Sequence, residues 1–331
     1  MNSANTLSQV MLELDADQEI QSLCDTLRHQ VSRIFKKRGV VVALSGGIDS
    51  SVVGALCVEA FGRKNVFGLL MPEQDSASDT LDLSRVVAEH LGIEYEAEVI
   101  TPILESVGCY ARRDEAIASV VPEYTSEYKC KIVRPQVSEN SMVKVFSVVV
   151  ESPEGVQSRA RLTSSAYLQI VAATNFKQRV RKMLEYYHAD RLNYAVTGTP
   201  NRQEFDQGFF VKLGDGAADI KPIAHLYKTQ VYQLARHMGI PETICMRPPT
   251  TDTYSMAQDQ DEFYFSVSYE KLDVCLYGLN HSLPIEEVAE AADMSLKQVE
   301  QVYQEIQSKR RATATMHSPP MTAREIPEIQ Y

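Results

Sequence analysis

The chain has 331 residues, of which 44% are hydrophobic and 23% charged, and its formal net charge is −11 at pH 7. This composition is typical of a globular protein, no apolar run approaches the ~20 residues of a membrane helix, and the acidic balance disfavours a broad nucleic-acid surface. The amino terminus lacks the basic and apolar segments of a secretion signal, so we expect a cytoplasmic protein.

The cysteines lie far apart in the chain, and no two of them form a CxxC pair. This spacing argues against a zinc ribbon, an iron–sulfur site and a disulfide framework. We therefore expect them to behave as small buried hydrophobic residues. They are Cys24, Cys57, Cys109, Cys130, Cys245 and Cys275.

The amino-terminal third predicts alternating helices and strands. Residues 17–37 have the pattern of a helix, and the apolar run Val40–Leu44 predicts a parallel strand buried on both faces. Further strands are predicted at 65–71 and 94–100, each preceded by apolar residues at helical spacing. This alternation is typical of an α/β protein with a Rossmann-like open parallel sheet, whose ligands bind beyond the carboxyl ends of the strands.

The segment 122–162 departs from this alternation. The runs YKCKIV, VKVFSVVV and VQSRARL read as short strands, and ESPEG supplies a turn between the last two. We expect an inserted, small antiparallel β subdomain here.

The remainder of the chain returns to the α/β pattern. Residues 193–199 predict a strand that rejoins the sheet, and 228–240 predict a helix that a glycine and a proline terminate. Amphipathic spacing predicts two more helices, near 284–292 and 295–310.

A glycine-rich turn, SGGIDSS, joins the first predicted strand to the next helix. No lysine follows the glycines as in a Walker phosphate loop, and the GxGxxG pattern of dinucleotide-binding folds is missing. What remains is a turn of hydroxyl and backbone N–H groups at a helix N-terminus, which can cradle phosphate oxygens. Within it, Asp49 either holds a magnesium ion against the phosphates or satisfies free amides of the helix. The residues alone leave both open.

A basic stretch, FKQRVRKM, stands out in this acidic chain, because Lys177, Arg179, Arg181 and Lys182 crowd one predicted helix. The default interpretation is a solvated helix face. The sharper alternative is a site for a small anionic ligand.

Several of these motifs resemble one enzyme family. SGGIDSS after an apolar strand resembles the SGGxDS signature of the ATP pyrophosphatases. The segment 196–252 is similar over nearly its whole length to the ammonia-dependent NAD synthetases, and NFKQRVRKM resembles a helix of that family. The resemblance implies one NAD synthetase-like α/β domain of the ATP pyrophosphatase type over 1–331, with 122–162 inserted in it.

The resemblance also implies an activity. Enzymes of this family use ATP to activate the carboxylate of deamido-NAD as an acyl adenylate, and ammonia then displaces AMP to give the amide. Activation is needed because a carboxylate is a poor electrophile. Ammonia is expected to arrive free or from a separate partner, since glutamine-dependent members carry an additional amidase domain. The family also implies magnesium as cofactor and a symmetric homodimer.

The resemblance assigns roles to individual positions. The residues that match contacts to ATP are Ser45, Gly46, Gly47, Asp49, Ser50, Ser51, Thr199, Lys228 and Thr250. Asp49 and Glu204 match the magnesium ligands, and with Lys228 they form the expected catalytic group. The residues that match contacts to deamido-NAD are Arg179, Lys212, Asp219 and Lys309.

Simpler interpretations exist for some of these residues. Glu204 can be a solvent-facing helix residue, Lys228 a surface lysine, and Thr250 a helix N-cap. Their occurrence together, in the order of the family, favours the functional interpretation.

Two departures from the family pattern concern the substrate. The insertion at 122–162 lies in a region where the family usually has only a short connection. It either selects the substrate or serves as an oligomerisation or surface element. Near the carboxyl terminus Ser308 replaces a histidine, and Val211 and Leu213 replace residues that carry a hydroxyl and a phenol. These departures leave open a paralogue that adenylates another small carboxylate. A third possibility is a non-catalytic nucleotide-binding protein.

Overall fold

The computed structural model describes residues 12–133, 146–249, 253–258, 264–265 and 267–324. A parallel four-stranded sheet lies at its centre, and a separate three-stranded antiparallel sheet precedes the longest helix. The strands are β1 (Val40–Ala43), β2 (Val66–Leu70), β3 (Glu94–Ala97), β4 (Lys129–Val133), β5 (Ser147–Glu151), β6 (Gln157–Arg161) and β7 (Ala195–Val196).

Helices flank the parallel sheet or follow it in the chain. The first helix continues into a π-helical turn at His29–Ile34, so the predicted helix over 17–37 exists but changes its hydrogen-bonding pattern midway. The helices are α1 (Ala16–Arg28), α2 (Ile48–Phe61), α3 (Thr80–Leu91), α4 (Thr101–Ser106), α5 (Cys109–Ala118), α6 (Ser164–Leu192), α7 (Arg202–Gln207), α8 (Lys228–His237), α9 (Glu242–Cys245), α10 (Tyr269–Asn280), α11 (Ile285–Ala291) and α12 (Leu296–Thr313).

The strand order of the parallel sheet, β3-β2-β1-β7, confirms the predicted Rossmann-like arrangement. Val40 on β1 pairs in parallel with Val66 on β2 and with Ala195 on β7. The chain therefore runs outward from β1 to β3 and returns on the other side of β1. Ligands of open α/β sheets bind at such a reversal, beyond the carboxyl ends of the strands.

Burial and strand pairing distinguish the central strand of this sheet from its edge strand. Val40, Val41 and Val42 are fully buried, as expected for a central parallel strand. β3 is an edge strand with mostly exposed side chains, and Ala97 pairs with Leu70, the last residue of β2. The predicted strand at 94–100 therefore stops at Ala97.

The segment 122–162 contains the expected antiparallel sheet, with the order β4-β5-β6. A tight turn with Gly155 at φ 80° connects β5 to β6. The predicted strand over 143–150 begins in residues outside the described part, and β5 covers its carboxyl-terminal portion.

This small sheet packs its apolar face on two helices. Ile132 and Val148 lie in one buried cluster with Ile117 of α5 and Ile170 of α6. The same α6 contacts β1 and β7, so it connects the two sheets. The position of the inserted sheet is thus fixed relative to the carboxyl ends of the parallel strands.

All the cysteines are buried and none forms a disulfide, which confirms their interpretation as hydrophobic residues. Among the described residues, no helix is long and apolar enough to cross a bilayer.

Candidate active site

A cavity of about 870 Å³ opens at the carboxyl ends of β1 and β7. It brings together most of the residues that the sequence predicted for ATP, magnesium and deamido-NAD. Those that line it are Ser45, Gly47, Asp49, Ser50, Arg179, Thr199, Glu204, Lys212, Lys228 and Lys309.

The glycine turn after β1 has a backbone shape that only glycine fits well. Gly46 has φ 70°, and a Cβ atom built there would lie 2.7 Å from the Cβ of Leu83. Gly47 is the N-cap of α2, and its carbonyl accepts hydrogen bonds from the hydroxyls of Ser50 (3.0 Å) and Ser51 (2.8 Å). The turn is therefore held by its own serines. The first amides of α2, which have no partner within the helix, are left for an anion.

Lys228 and Asp49 form a buried ion pair at this turn. Lys228 is 1% exposed, and its ammonium donates to Asp49 Oδ2. The other oxygen of Asp49 accepts a hydrogen bond from Asn201 Nδ2 at 3.2 Å. Burial lowers the pKa of Lys228, but the neighbouring carboxylates outweigh it and leave the pKa raised. The alternative that Lys228 is a surface lysine is wrong.

Glu204 lies in the first turn of α7, within a capping box formed with Asn201. Glu204 Oε2 accepts from Asn201 N at 3.1 Å, and Asn201 Oδ1 accepts from Glu204 N at 3.2 Å. Burial, followed by repulsion from Asp49, raises the pKa of Glu204 to about 8. Glu204 is thus not a solvent-facing residue. Sequence reasoning missed Asn201, although Asn followed three residues later by Glu is a capping-box signal.

Asp49 and Glu204 together fit a magnesium site. Both offer carboxylate oxygens, which magnesium prefers, and both contact Asn201, which holds them on one side of the cavity. Burial and, second to it, repulsion from Asp49 raise the pKa of Glu204, and a divalent cation bound between the two carboxylates would offset both effects.

Four of the predicted ligand residues are not among the residues that line the cavity, and one of these four lies outside the described part of the chain. Asp219 accepts hydrogen bonds from Val196 N (2.8 Å) and the Tyr186 hydroxyl (3.4 Å), which places its carboxylate at the end of β7 as a backbone support. Ser51 is fully buried against Gly47, and Gly46 contributes only its backbone shape. Thr250 lies outside the described residues.

The remaining predicted substrate residues lie on three different elements. Arg179 of α6 donates to the Lys212 carbonyl at 3.4 Å, and Lys212 Nζ donates to the Thr315 carbonyl at 2.9 Å. Lys309 of α12 pairs with Glu305 at 2.7 Å. The segment after α12 therefore closes one side of the cavity.

The basic stretch on α6 is not a solvated face throughout. Lys177 and Lys182 are buried, whereas Arg179 is exposed toward the cavity. Lys182 forms an ion pair of 2.6 Å with Glu185, also buried, and both line the cavity with Asp215. Burial raises the pKa of Glu185 and of Asp215. The default interpretation is therefore wrong for the two lysines. The i,i+3 spacing of Lys182 and Glu185 could have signalled their pairing, whereas no local spacing signals the burial of Lys177.

The far wall of the cavity is apolar and includes the inserted sheet. Ile132 of β4 and Phe146, which precedes β5, line it with Tyr167 of α6 and Tyr254. The rings of Phe146 and Tyr167 stack at 4.4 Å between centroids. We call these four residues, three of which are aromatic, the aromatic wall. The insertion thus contributes directly to the predicted substrate cavity.

Comparison with known proteins shows which sequences and folds this chain is similar to. The sequence pattern of the NAD synthase family matches residues 19–123 and 112–313. The chain is 57% identical to an NH(3)-dependent NAD(+) synthetase of Mesorhizobium japonicum, over 96% of this chain and 100% of the relative. Among solved structures, it is similar to an NH3-dependent NAD synthetase of Campylobacter jejuni, with a TM-score of 0.62 and 23% identity, over 94% of this chain and 100% of that one. It is similar in fold to an NMN synthetase of Francisella tularensis, with a TM-score of 0.64 and 22% identity, over 94% and 99% of the two chains.

Proposed function

This chain belongs to the NAD synthase family, and we propose that it is an ammonia-dependent ligase that converts deamido-NAD to NAD at the expense of ATP. The observation that carries the proposal is the assembly of Asp49, Glu204 and Lys228 around Asn201, at the end of a phosphate-binding turn. We take residues 1–331 as a single NAD synthetase-like domain with the segment 122–162 inserted in it.

The reaction has two steps. A carboxylate oxygen of deamido-NAD attacks the α-phosphorus of ATP, the bond between the α- and β-phosphates breaks, and pyrophosphate leaves. Ammonia then attacks the acyl carbon of the adenylate, AMP leaves with the former carboxylate oxygen, and a proton is released. AMP is a far better leaving group than oxide, which is why activation precedes amidation.

The side of the cavity formed by the glycine turn, Asp49, Glu204 and Lys228 carries out the first step, and we call it the phosphate side. The turn around Gly47 presents amides to the phosphates, and Lys228 places a buried positive charge where negative charge builds up on the departing pyrophosphate. Magnesium on Asp49 and Glu204 would neutralise phosphate charge. Asn201 keeps both carboxylates in place through its side chain and backbone.

The other side of the cavity holds deamido-NAD. Arg179 and Lys212 supply positive charge for its diphosphate, and the aromatic wall lies farther along α6. Tyr167 and Arg179 are 12 residues apart on this helix, which is about 18 Å of axis. That length suits an extended dinucleotide better than a mononucleotide.

Another small carboxylate is the runner-up substrate, because Ser308, Val211 and Leu213 depart from the family pattern. The high identity to a named NAD synthetase favours deamido-NAD. The likeness to an NMN synthetase lies at 22% identity and concerns the fold alone. Nicotinate mononucleotide is a suitable comparison substrate, because it is a smaller carboxylate that shares the nicotinate group of deamido-NAD.

We also propose that the protein forms a symmetric homodimer. Leu168, Met183 and Tyr187 of α6 are 64%, 55% and 60% exposed and share one face of the helix, with Arg179 on the same side. Because the family resemblance implies a homodimer, we propose that a second copy of the chain packs against these exposed residues of α6. Light scattering on the wild type and on a Met183→Glu variant tests the homodimer, since the variant should shift toward monomer.

The cytoplasmic location of the protein stays a prediction.

The function is tested by product analysis. Purified protein with ATP, magnesium, ammonium and deamido-NAD should form NAD, AMP and pyrophosphate in equal amounts. Nicotinate mononucleotide in place of deamido-NAD should give at least ~10-fold lower kcat/KM. A higher rate with the mononucleotide would favour the paralogue, and ATP binding without pyrophosphate release would indicate a non-catalytic nucleotide-binding protein.

A further inference from the structure

Lys177 is a deeply buried charged group in the lining of the cavity, and nothing in the proposed chemistry uses it. It is 1% exposed, and its ammonium donates to Glu73 Oε1 at 2.9 Å and to Asp75 Oδ2 at 2.6 Å. Its third hydrogen bond goes to the carbonyl of Thr253 at 2.8 Å. All three N–H donors of the ammonium are therefore satisfied by groups from two distant segments.

The two carboxylates that bind Lys177 are themselves fixed. Glu73 Oε2 accepts from the Tyr110 hydroxyl at 2.7 Å, and Asp75 Oδ2 accepts from Arg113 at 2.5 Å. Both side chains are almost fully buried. They belong to the segment that follows β2, whose neighbouring residues line the cavity. Lys177 thus has rigid partners on one side.

The segment 253–258, on the other side of Lys177, runs along the open edge of β4. Met256 N donates to the Cys130 carbonyl at 3.1 Å, and Cys130 N donates to Ser255 Oγ at 2.9 Å. Gln258 Nε2 donates to the Ile132 carbonyl at 2.7 Å. The inserted sheet therefore pairs its edge strand with a segment about 125 residues away in sequence.

This pairing places one side chain of the aromatic wall. Tyr254 lies between the Lys177 contact at Thr253 and the β4 contact at Ser255, and it is buried in the cluster that includes Ile132. Tyr254 and Ile132 both line the cavity. The position of Tyr254 in the wall therefore depends on the contacts of this segment with β4.

We propose that Lys177 is a positioning residue for deamido-NAD, and that it acts by holding segment 253–258 in register on the inserted sheet. The proposal rests on the proposed function. It also gives the insertion a role, because β4 is the template on which this part of the wall is built.

Preorganisation of the aromatic wall should affect the binding of deamido-NAD more than the chemical step. If the segment is in register only part of the time, the apparent dissociation constant rises in inverse proportion to that fraction. Saturating substrate restores the register by mass action, so kcat recovers. A residue that only stabilises the fold would lower the fraction of active enzyme and leave KM unchanged.

The test compares Lys177→Met with wild type. We expect the KM for deamido-NAD to rise about 10-fold and kcat to stay within about 2-fold, and the Met256 amide to exchange hydrogen faster in the free enzyme. Gln258→Leu, which removes an uncharged contact to β4, should raise the same KM about 3-fold.

Charge imbalance is controlled by a double variant, Lys177→Met with Glu73→Gln, because Lys177→Met alone leaves a buried carboxylate short of a partner. The double variant should recover thermal stability and keep the raised KM. Val299→Ala, in the separate core of α10–α12, is the matched control for destabilisation and should leave KM unchanged.

The outcomes separate the two proposals. An unchanged KM for deamido-NAD in both the double variant and Gln258→Leu, with active wild type, would overturn the positioning role. Absence of NAD formation by the wild type would instead overturn the proposed function.

Discussion

The two sides of the cavity differ in how they are built. On the phosphate side, a continuous turn after β1 and the first residues of α7 and α8 place every important group, and each group is set by its own helix N-terminus. On the side of the aromatic wall, residues from β4, the start of β5, α6 and segment 253–258 meet only through tertiary contacts. The orientation of the catalytic groups therefore depends on local backbone geometry, whereas the shape of the substrate pocket depends on long-range packing.

The largest effect is expected at Lys228, which anchors the phosphate side. Lys228→Met removes a buried charge that lies against Asp49, so kcat for NAD formation should fall about 1000-fold. Lys271→Met, which changes a half-exposed lysine on α10, is the control and should retain activity. A loss of less than ~10-fold would show that the phosphate side does not depend on this charge.

The next effect concerns magnesium. Asp49→Asn should cut the rate of pyrophosphate release at least ~100-fold and raise the magnesium concentration for half-maximal activity, because one of two proposed ligands is lost. Titration of activity with magnesium measures both. The exposed Asp82→Asn variant should behave as wild type. Near wild-type release by Asp49→Asn would remove Asp49 from the metal site.

Two matched variants compare the sides directly. Gly46→Ala forces a side chain onto φ 70° and against Leu83, so the KM for ATP should rise about 10-fold with little change for deamido-NAD. Phe146→Ala removes a stacked ring from the aromatic wall, so the KM for deamido-NAD should rise about 5-fold with little change for ATP. If both variants changed the same KM, the division of the cavity into two sides would be wrong.

The smallest effect on activity, and a clear one on stability, is expected at Asp273 behind the phosphate side. Its carboxylate accepts from Gln203 Nε2 at 2.7 Å and Thr229 N at 2.8 Å, and burial raises its pKa from the ordinary 3.8 to about 6. Between these values the folded state holds a proton that the unfolded state has lost.

The contribution of Asp273 to the free energy of unfolding should therefore decrease by about 3 kcal/mol as pH rises from about 4 to about 6, and this contribution should stay constant above that range. Asp273→Asn should lack this decrease. Urea midpoints of wild type and variant across this range measure it, and equal pH slopes for the two proteins would count against a raised pKa.

Sequence reasoning anticipated the parallel sheet, the antiparallel insertion and most of the phosphate side. Val40–Val42 and the turn at Gly46 are local signals, since a buried apolar run and a glycine at positive φ depend on neighbouring residues. The joint appearance of Glu204 and Lys228 near Asp49 followed from the family resemblance. Their mutual contacts could not be read from spacing.

The rest of the site depends on partners that sequence does not reveal. Lys177 looked like part of a solvated basic face, yet it binds Glu73 and Asp75, about a hundred positions earlier. Asp219 matched a substrate contact, but its carboxylate supports Val196 of β7. Buried ion pairs are decided by which segments meet in the fold, and a single sequence carries little record of that.

Adenylation of the deamido-NAD carboxylate is tested most directly by oxygen labelling. With both carboxylate oxygens labelled as ¹⁸O, attack on the α-phosphorus transfers one of them to AMP, and the other stays in the amide of NAD. We predict AMP with a single ¹⁸O and pyrophosphate with none, measured by mass spectrometry of one turnover. Unlabelled AMP, or ¹⁸O in pyrophosphate, would contradict activation of the carboxylate as an acyl adenylate.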